Sequence, residues 1–301
     1  MRIRHPGKVC ECLWYLGREE SGVYLLEGRD GFLVINGGLS YIVPDVLKQM
    51  EDVGTDEGRI TKLLILHSHF DHVGIVPFLK RRHPNMEVYA SPKAWEILQM
   101  PKAIRTINDF SWNVARRMGR EDVYDLYDLD WEDDVSGKII REGEKIDLGD
   151  RSISVFEIPG HSSCTIAAYI SELKALFPSD GLGIPFKDII LVSGNSNYTQ
   201  YQKNLQRLKD LQIDYLCADH YGYIVGEEAR EYVARSAEAA RQFRVLIEET
   251  YHSTKDTDAV ARTLTTLFYT EHPNYFLSPE IFQEVHRQMA RHIAGVMEEK
   301  G

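Results

Sequence analysis

Long apolar runs are missing from this chain of 301 residues. It contains no stretch of about 18 apolar residues, which argues against a transmembrane helix. Near the amino end, no continuous apolar segment follows the basic residues, so we expect no signal peptide. Basic charge is also scarce, because 35 Lys and Arg residues face 46 Asp and Glu residues and leave a formal net charge of −11. Nucleic acid and membranes are therefore not expected as partners.

Cysteine is scarce as well, with only Cys10, Cys12, Cys164 and Cys217. These positions show neither the CxxC spacing of a redox or zinc motif nor the density of a disulfide framework. We expect reduced, mostly buried thiols and a cytoplasmic location. Cys10 and Cys12 are expected to point the same way on one strand, over residues 9–16.

Strand and helix patterns alternate along the first three quarters of the chain. Gly28 to Gly31 predicts a hairpin turn, "TKLLIL" (61–66) a short buried strand, and Ser91-Pro92 the start of a helix. From Gly226 onward no strand signal remains, and the pattern predicts three helices over 227–250, 256–270 and 279–298. We therefore predict a domain over residues 1–225 and a C-terminal helical cap over residues 226–301.

An acidic, aromatic-rich segment interrupts the alternation at residues 121–134, where eight of fourteen residues are Asp or Glu. So many carboxylates must be solvated, which favours an exposed connecting loop or short helix. The alternative is a lid in which Tyr124, Tyr127 and Trp131 cover a pocket.

The most informative segment is "LLILHSHFDHVG", residues 63–74. It places His67, His69, Asp71 and His72 within six positions directly after a buried strand. Partly protonated imidazoles would repel one another at such spacing, and a bound metal would explain the cluster. Three more polar residues follow predicted strands: His161 in "IPGHSS", Asp180 in "FPSDG" and His220 in "CADHYG". Imidazole and carboxylate donors without cysteine suit divalent zinc, iron or manganese.

The order HxHxDH, then His, Asp and His, resembles the metallo-β-lactamase fold hydrolases over roughly residues 10–225. The resemblance implies an α+β fold, the αβ/βα sandwich, with its site along one edge of two sheets. It also implies two divalent metal ions, zinc or iron with manganese as a third candidate. His67, His69 and His161 would hold one ion, Asp71, His72 and His220 the other, and Asp180 would bridge them. "FLVINGGLS", "LFPSDGLG" and the helical C-terminal third further resemble the alkylquinolone-signal thioesterases, and the site resembles that of glyoxalase II-like hydrolases.

The chemistry of such a site favours hydrolysis of a thioester or other activated ester. A hydroxide bridging two divalent ions is a nucleophile at neutral pH, because the ions lower the pKa of bound water from about 15.7 towards 7. Asp71 would orient this hydroxide and relay a proton to the leaving group. A thiolate leaving group needs little such help.

Two other functions remain open. The same dinuclear site serves phosphodiesterases, although these usually need an Arg or Lys clamp, and Lys187 is the only basic residue close to Asp180. A regulatory or interaction protein with a structural metal site is the other alternative.

For a small-molecule acyl ester or thioester substrate, the candidate pocket residues are Phe186, Phe276, Leu277 and Phe282; their alternative role is to attach the last helix to the core. A homodimer is also considered, because the predicted helices have wide apolar stripes.

Overall fold

The computed structural model describes residues 1–299 and divides into two compact units. The first unit comprises Met1–Glu157, Cys164–Ser179 and Gln212–Arg230, and the second comprises Ile158–Ser163, Asp180–Leu211 and Glu231–Gly301. Within residues 1–299, no helix is both long enough and apolar enough to cross a membrane.

The strands and helices follow one another through both units. The strands are β1 (Arg2–Ile3), β2 (Gly7–Cys10), β3 (Leu13–Arg18), β4 (Ser21–Gly28), β5 (Gly31–Ile35), β6 (Ile60–Leu64), β7 (Glu87–Ala90), β8 (Lys138–Ile139), β9 (Lys145–Asp147), β10 (Ser152–Glu157), β11 (Ile166–Ile170), β12 (Ala175–Phe177), β13 (Ile184–Phe186), β14 (Ile189–Leu191), β15 (Tyr215–Cys217) and β16 (Tyr223–Val225). The helices are α1 (Val43–Asp52), α2 (Val76–Arg82), α3 (Pro92–Leu98), α4 (Pro101–Arg117), α5 (Val123–Leu126), α6 (Tyr198–Leu208), α7 (Glu227–Thr254), α8 (Thr257–Glu271) and α9 (Pro279–Glu298).

The first unit is a sandwich of two seven-stranded sheets. One sheet has the order β2-β3-β4-β5-β6-β7-β8, and the other has the order β1-β16-β15-β12-β11-β10-β9. Side chains from both sheets share one buried core, for example Leu26 and Leu33 from the first sheet and Val155 and Phe177 from the second. Two packed sheets together with C-terminal helices confirm the predicted α+β fold class.

Strand direction in the second sheet explains why the predicted site residues follow strands. β10 and β12 both pair antiparallel with β11 and so run parallel to each other, and β12 is also parallel to β15. The carboxyl ends of these three strands therefore lie at the same edge of the sheet. His161, Asp180 and His220 each follow one of these ends along the chain.

Helix starts were predicted well because their caps are local. The Ser91 hydroxyl accepts a hydrogen bond from the Ala94 amide at 3.2 Å. Asp256 accepts one from the Asp258 amide at 2.8 Å, and Ser278 caps α9. Each side chain occupies an amide that the first helical turn leaves without a backbone partner.

The prediction of one strand over residues 9–16 is wrong. Glu11 and Cys12 form a turn, and β2 pairs antiparallel with β3 across it. Cys10 and Cys12 therefore do not lie on one face of a strand, although all four cysteines are free thiols as expected. The turn was not predicted because it lacks the glycine, proline or asparagine that usually marks one.

The acidic segment contains the short helix α5 and otherwise has no regular structure. Trp131 is only 1% exposed, and its indole Nε1 donates to the Leu98 carbonyl at 3.1 Å. Trp131 thus attaches this segment to α3, and the lid stays a prediction. Arg81 neutralises part of the acidic charge, with contacts of 2.8 Å to both Asp128 and Asp134.

The second unit contains the β13–β14 hairpin and most of the C-terminal helical region. Its core joins Tyr198 of α6 to Ile247 of α7, Leu264 of α8 and Met289 and Ile293 of α9. The Tyr198 hydroxyl also donates to the Ala240 carbonyl at 2.7 Å. The three C-terminal helices therefore cover α6, which precedes them in sequence.

Among the histidines of this region, His286 departs from expectation. The sequence predicts a solvated or capping role for His286, as it does for His83, His252, His272 and His292. His286 is instead buried at 5% exposure, within 2.9 Å of the Thr265 hydroxyl and in edge contact with Phe282. Burial lowers the pKa of His286 to about 4, because the apolar surroundings disfavour its charged form.

The buried His286 should make this unit sensitive to acid. The pKa of His286 in the folded protein lies below the unfolded value of about 6.5. Its contribution to the free energy of unfolding is therefore fully present above pH 6.5 and is lost as the pH falls towards 4. Between pH 7 and pH 5, the free energy of unfolding measured with urea should fall by about 2 kcal/mol more in the wild type than in a His286→Asn variant. Equal losses in the two proteins would contradict this prediction. Because the comparison is a difference, other titrating groups cancel.

Candidate metal centre

The histidine motif forms a tight loop directly after β6. A 3-10 turn over Phe70–His72 follows His69, and the His72 amide donates to the His69 carbonyl at 3.0 Å. The His67 ring centroid lies 4.5 Å from that of His69 and 4.0 Å from that of His72. His67 and His72 are completely buried, and His69 is half-buried. Protonated imidazoles would repel strongly at these separations.

Hydrogen bonds orient the rings of this loop. Asp219 Oδ2 accepts from His72 Nδ1 at 3.0 Å and from the Ser179 hydroxyl at 3.0 Å. Because the Ser179 hydroxyl donates to Asp219, it accepts from His67 Nδ1 at 2.8 Å. Asn36 Oδ1 lies 3.2 Å from His72 Nδ1. One buried carboxylate therefore orients two histidines, which leaves the lone pair of each on Nε2.

His220 reaches the same loop from the second sheet. Its Nδ1 must donate to the Glu20 carbonyl at 2.6 Å, because a carbonyl oxygen only accepts. His220 Nε2 then carries a lone pair and lies 3.1 Å from His72 Nε2. Asp71 Oδ2 is 3.6 Å from His220 Nε2 and 3.8 Å from His72 Nε2.

The facing nitrogens fit a cation. Asp71, His72 and His220 each offer one donor atom, and the three atoms lie within 4.8 Å of one another. Two lone pairs and a carboxylate oxygen that face one another in a buried space would repel, and a divalent ion between them removes that repulsion. The donor set of nitrogen and oxygen without sulfur suits zinc, iron or manganese.

The second unit contains the two remaining candidates. His161 Nδ1 donates to the Ser193 carbonyl at 2.8 Å, and its Nε2 lies 3.6 Å from Asp180 Oδ2. The Ser193 hydroxyl donates to the Asp180 carbonyl at 2.6 Å, so one residue positions both. Gly160 precedes His161 at φ 146°, and a Cβ at this glycine would lie 2.6 Å from the Tyr201 backbone.

Residues at positive φ flank the histidines. Asn36 (φ 72°) and Ser179 (φ 51°) orient His72 and His67, and Tyr221 (φ 62°) directly follows His220. This conformation costs about 1–3 kcal/mol for each such residue and persists only where the surroundings enforce it. The backbone conformation therefore holds in place the residues whose hydrogen bonds orient the rings.

The structure brings the predicted residues together in two groups. His67, His69, Asp71, His72 and His220 lie in the first unit, and His161 and Asp180 lie in the second. Asp180 follows Ser179 by one peptide bond, and Ser179 belongs to the first unit. The orienting residues Asn36, Ser179, Ser193 and Asp219 were not predicted. Three of them had a signal, since Asp219 and Ser179 directly precede His220 and Asp180, and Asn36 begins the "NGG" exit from β5.

Comparison with known families agrees with this geometry. A sequence profile described as the metallo-beta-lactamase superfamily matches residues 16–220, well over half of the chain. The chain belongs to the metallo-beta-lactamase superfamily. Membership confirms the resemblance drawn from the HxHxDH motif.

Relatives within the superfamily include two acyl hydrolases. Human acyl-coenzyme A thioesterase MBLAC2 is 27% identical over 180 residues, which cover 56% of this chain and 60% of that protein. Hydroxyacylglutathione hydrolase of Buchnera aphidicola is 25% identical over 193 residues, which cover 62% of this chain and 56% of that protein. The chain thus spans less than two thirds of either relative.

A solved structure shows that the fold is shared. A metallo-beta-lactamase family protein of Thermus thermophilus has a TM-score of 0.66 at 18% identity. The match covers 97% of this chain and 95% of that one.

Proposed function

We propose that this superfamily member is a dinuclear hydrolase of thioesters or other activated esters. The observation that carries the metal chemistry is the pair of buried Nε2 atoms of His72 and His220, 3.1 Å apart and faced by Asp71. The acyl substrate class is supported by similarity to a thioesterase and to a hydroxyacylglutathione hydrolase. The free cysteines support a reducing, cytoplasmic location.

The proposed ligands follow the two groups of residues. His67, His69 and His161 hold one ion, Asp71, His72 and His220 hold the other, and Asp180 bridges both. Support comes from the ring separations within the motif loop and from the 3.6 Å approach of His161 Nε2 to Asp180 Oδ2. Asp180 directly follows Ser179, which orients His67, and this gives further support to the assignment.

When bound, the two ions supply a water-derived nucleophile at neutral pH and polarise the scissile carbonyl. Asp71 faces the Nε2 atoms of both His72 and His220, so its carboxylate is positioned to orient the attacking water and accept its proton. Asp219 and Ser179 keep His72 and His67 in the required tautomer. A thiolate has a pKa near 8.5 as the free thiol and departs without prior protonation, which favours thioesters over alkyl esters.

Substrate competition tests this proposal. Metal-loaded protein should hydrolyse acyl-coenzyme A, acylglutathione or aryl esters with a higher kcat/KM than bis(p-nitrophenyl) phosphate or RNA. Protein purified without chelators should contain two divalent ions per chain by plasma mass spectrometry. If a phosphodiester is the better substrate, the function becomes a phosphodiesterase. If the metal-loaded chain turns over nothing, the alternative of a regulatory protein with a structural metal site replaces hydrolysis.

We also propose that residues 226–301 form a helical cap on the domain over residues 1–225. Truncation after Gly226 would uncover Tyr198 and the rest of the α6 face that Ile247, Met289 and Ile293 bury. The truncated protein should therefore aggregate, measured by light scattering against the full chain. A truncated protein that stays monodisperse with unchanged substrate selectivity would contradict this. The same light-scattering measurement gives the molar mass of the full chain in solution and so tests whether it is a homodimer.

The aromatic residues predicted for the acyl pocket lie in one cluster of the second unit. Phe186 packs against Phe268 and Tyr275, and Phe282 packs against Phe268 at a centroid separation of 4.4 Å. Phe276 contacts Tyr275, and Leu277 accepts a hydrogen bond from the Tyr269 hydroxyl through its carbonyl. These contacts support the attachment of α9 to its unit, and a role of Phe186, Phe276, Leu277 and Phe282 in acyl binding stays a prediction.

A further inference from the structure

An aromatic side chain of the metal-binding loop has a partner on α4. Phe70 lies between His69 and Asp71 in sequence, and its ring meets that of Phe110 edge to face at a centroid separation of 5.5 Å. Phe70 is 8% exposed, whereas Phe110 keeps 36% of its surface exposed. Both belong to the first unit. The pair therefore joins the loop to apolar surface that solvent reaches.

Phe110 is one of two large aromatic side chains that α4 exposes, and Trp112 is the other. Ile107, Val114 and Ala115 form the buried face of α4. Phe110 lies beside that face, and its ring and that of Phe70 meet edge to face. A helix that served packing alone would not need a large aromatic ring there, because most exposed positions of α4 are polar. His69, the neighbour of Phe70, is also the one histidine of the motif that is not fully buried.

We infer that Phe70 and Phe110 form an apolar subsite that binds the acyl chain of the substrate. This inference rests on the proposed acyl hydrolysis. Phe70 is the sequence neighbour of both His69 and Asp71, so an acyl chain that leaves a carbonyl held at these residues would meet Phe70 first and the exposed part of Phe110 next. Apolar chains gain free energy in proportion to the area that they bury. The subsite therefore favours long or aromatic acyl groups and contributes little to short ones.

The test compares Phe110→Ala with Trp112→Ala as its matched control. Trp112 lies on the same helix, is 42% exposed and stacks with Arg116, and it has no contact with the motif loop among those that the structure describes. Acyl-coenzyme A substrates from acetyl to dodecanoyl are assayed with all proteins. Phe110→Ala should lower kcat/KM about tenfold for dodecanoyl and less than twofold for acetyl. Trp112→Ala should leave both within twofold, and Phe110→Leu should regain most of the lost preference.

A binding measurement separates recognition from turnover. The dodecyl thioether of coenzyme A is not hydrolysed, and its Kd, measured by calorimetry, should rise about tenfold in Phe110→Ala and stay unchanged in Trp112→Ala. If wild-type protein hydrolyses acyl-coenzyme A and Phe110→Ala keeps the same chain-length preference, the subsite is wrong and the proposed hydrolysis stands. The same holds if Phe276→Ala, in the aromatic cluster of the second unit, loses the preference instead. If wild-type protein neither hydrolyses nor binds any acyl compound, the proposed function itself falls, and the subsite with it.

Discussion

Asp180→Ala is expected to lower kcat/KM by more than a hundredfold and to leave the purified protein with fewer than two divalent ions per chain. Residues that merely orient a metal ligand typically cost 10–100-fold when replaced, and a carboxylate that bridges two ions should exceed that range. Asp180 is only 4% exposed, so solvent cannot easily replace its lost charge. Without that charge, two divalent ions repel each other with one fewer anion between them. Plasma mass spectrometry and steady-state kinetics on the same preparation measure both effects.

The matched control is Asp188→Ala. Asp188 is exposed and lies eight positions further along in the same unit, and its replacement by Ala removes the same charge. The Asp188→Ala protein should retain full metal content and activity. An Asp180→Ala protein that does the same would show that Asp180 does not bridge two ions.

The second large effect is expected from Asp219→Asn, although Asp219 is not a proposed ligand. Its Oδ2 accepts from both His72 Nδ1 and Ser179, whereas an amide can present an N–H group to His72 instead. That arrangement favours the tautomer with its proton on Nε2, which removes the lone pair of His72 from the ion. Metal affinity should fall 10–100-fold.

Two variants make this result specific. Asp210→Asn alters an exposed carboxylate by the same chemistry and should change nothing. Ser179→Ala removes the hydrogen bonds of Ser179 to His67 and to Asp219 but keeps that of His72 to Asp219. Its loss of metal affinity should therefore be smaller than that of Asp219→Asn, and the double variant should be less than additive. Metal affinity is measured by competition with a chromogenic chelator. Equal affinity in wild type and Asp219→Asn would exclude an orienting role.

The sequence alone determined the features that depend on neighbouring residues. The buried strand "TKLLIL" followed by HxHxDH predicted both the loop and its metal chemistry, because the motif residues lie within six positions of one another. Ser91 predicted a helix start, and Asp256 and Ser278 cap the helices predicted over 256–270 and 279–298, because a capping side chain bonds to amides two or three positions away. The resemblance that the HxHxDH motif carries implied the α+β class.

Tertiary structure decided what depends on residues distant in sequence. His67 is oriented by Ser179, 112 positions away, and His220 by the Glu20 carbonyl, 200 positions away. Asp219 can accept hydrogen bonds from both His72 and Ser179 only because β12 and β15 pair in parallel and place Ser179 and Asp219 at one edge. No periodicity encodes such pairs, so Asn36, Ser179 and Asp219 were missed. Burial of His286 and Trp131 was decided in the same way. Distant segments contribute to it, since Phe243 and Thr265 contact His286 and Leu98 accepts a hydrogen bond from Trp131. The sequence next to a side chain does not by itself determine how much water that side chain loses.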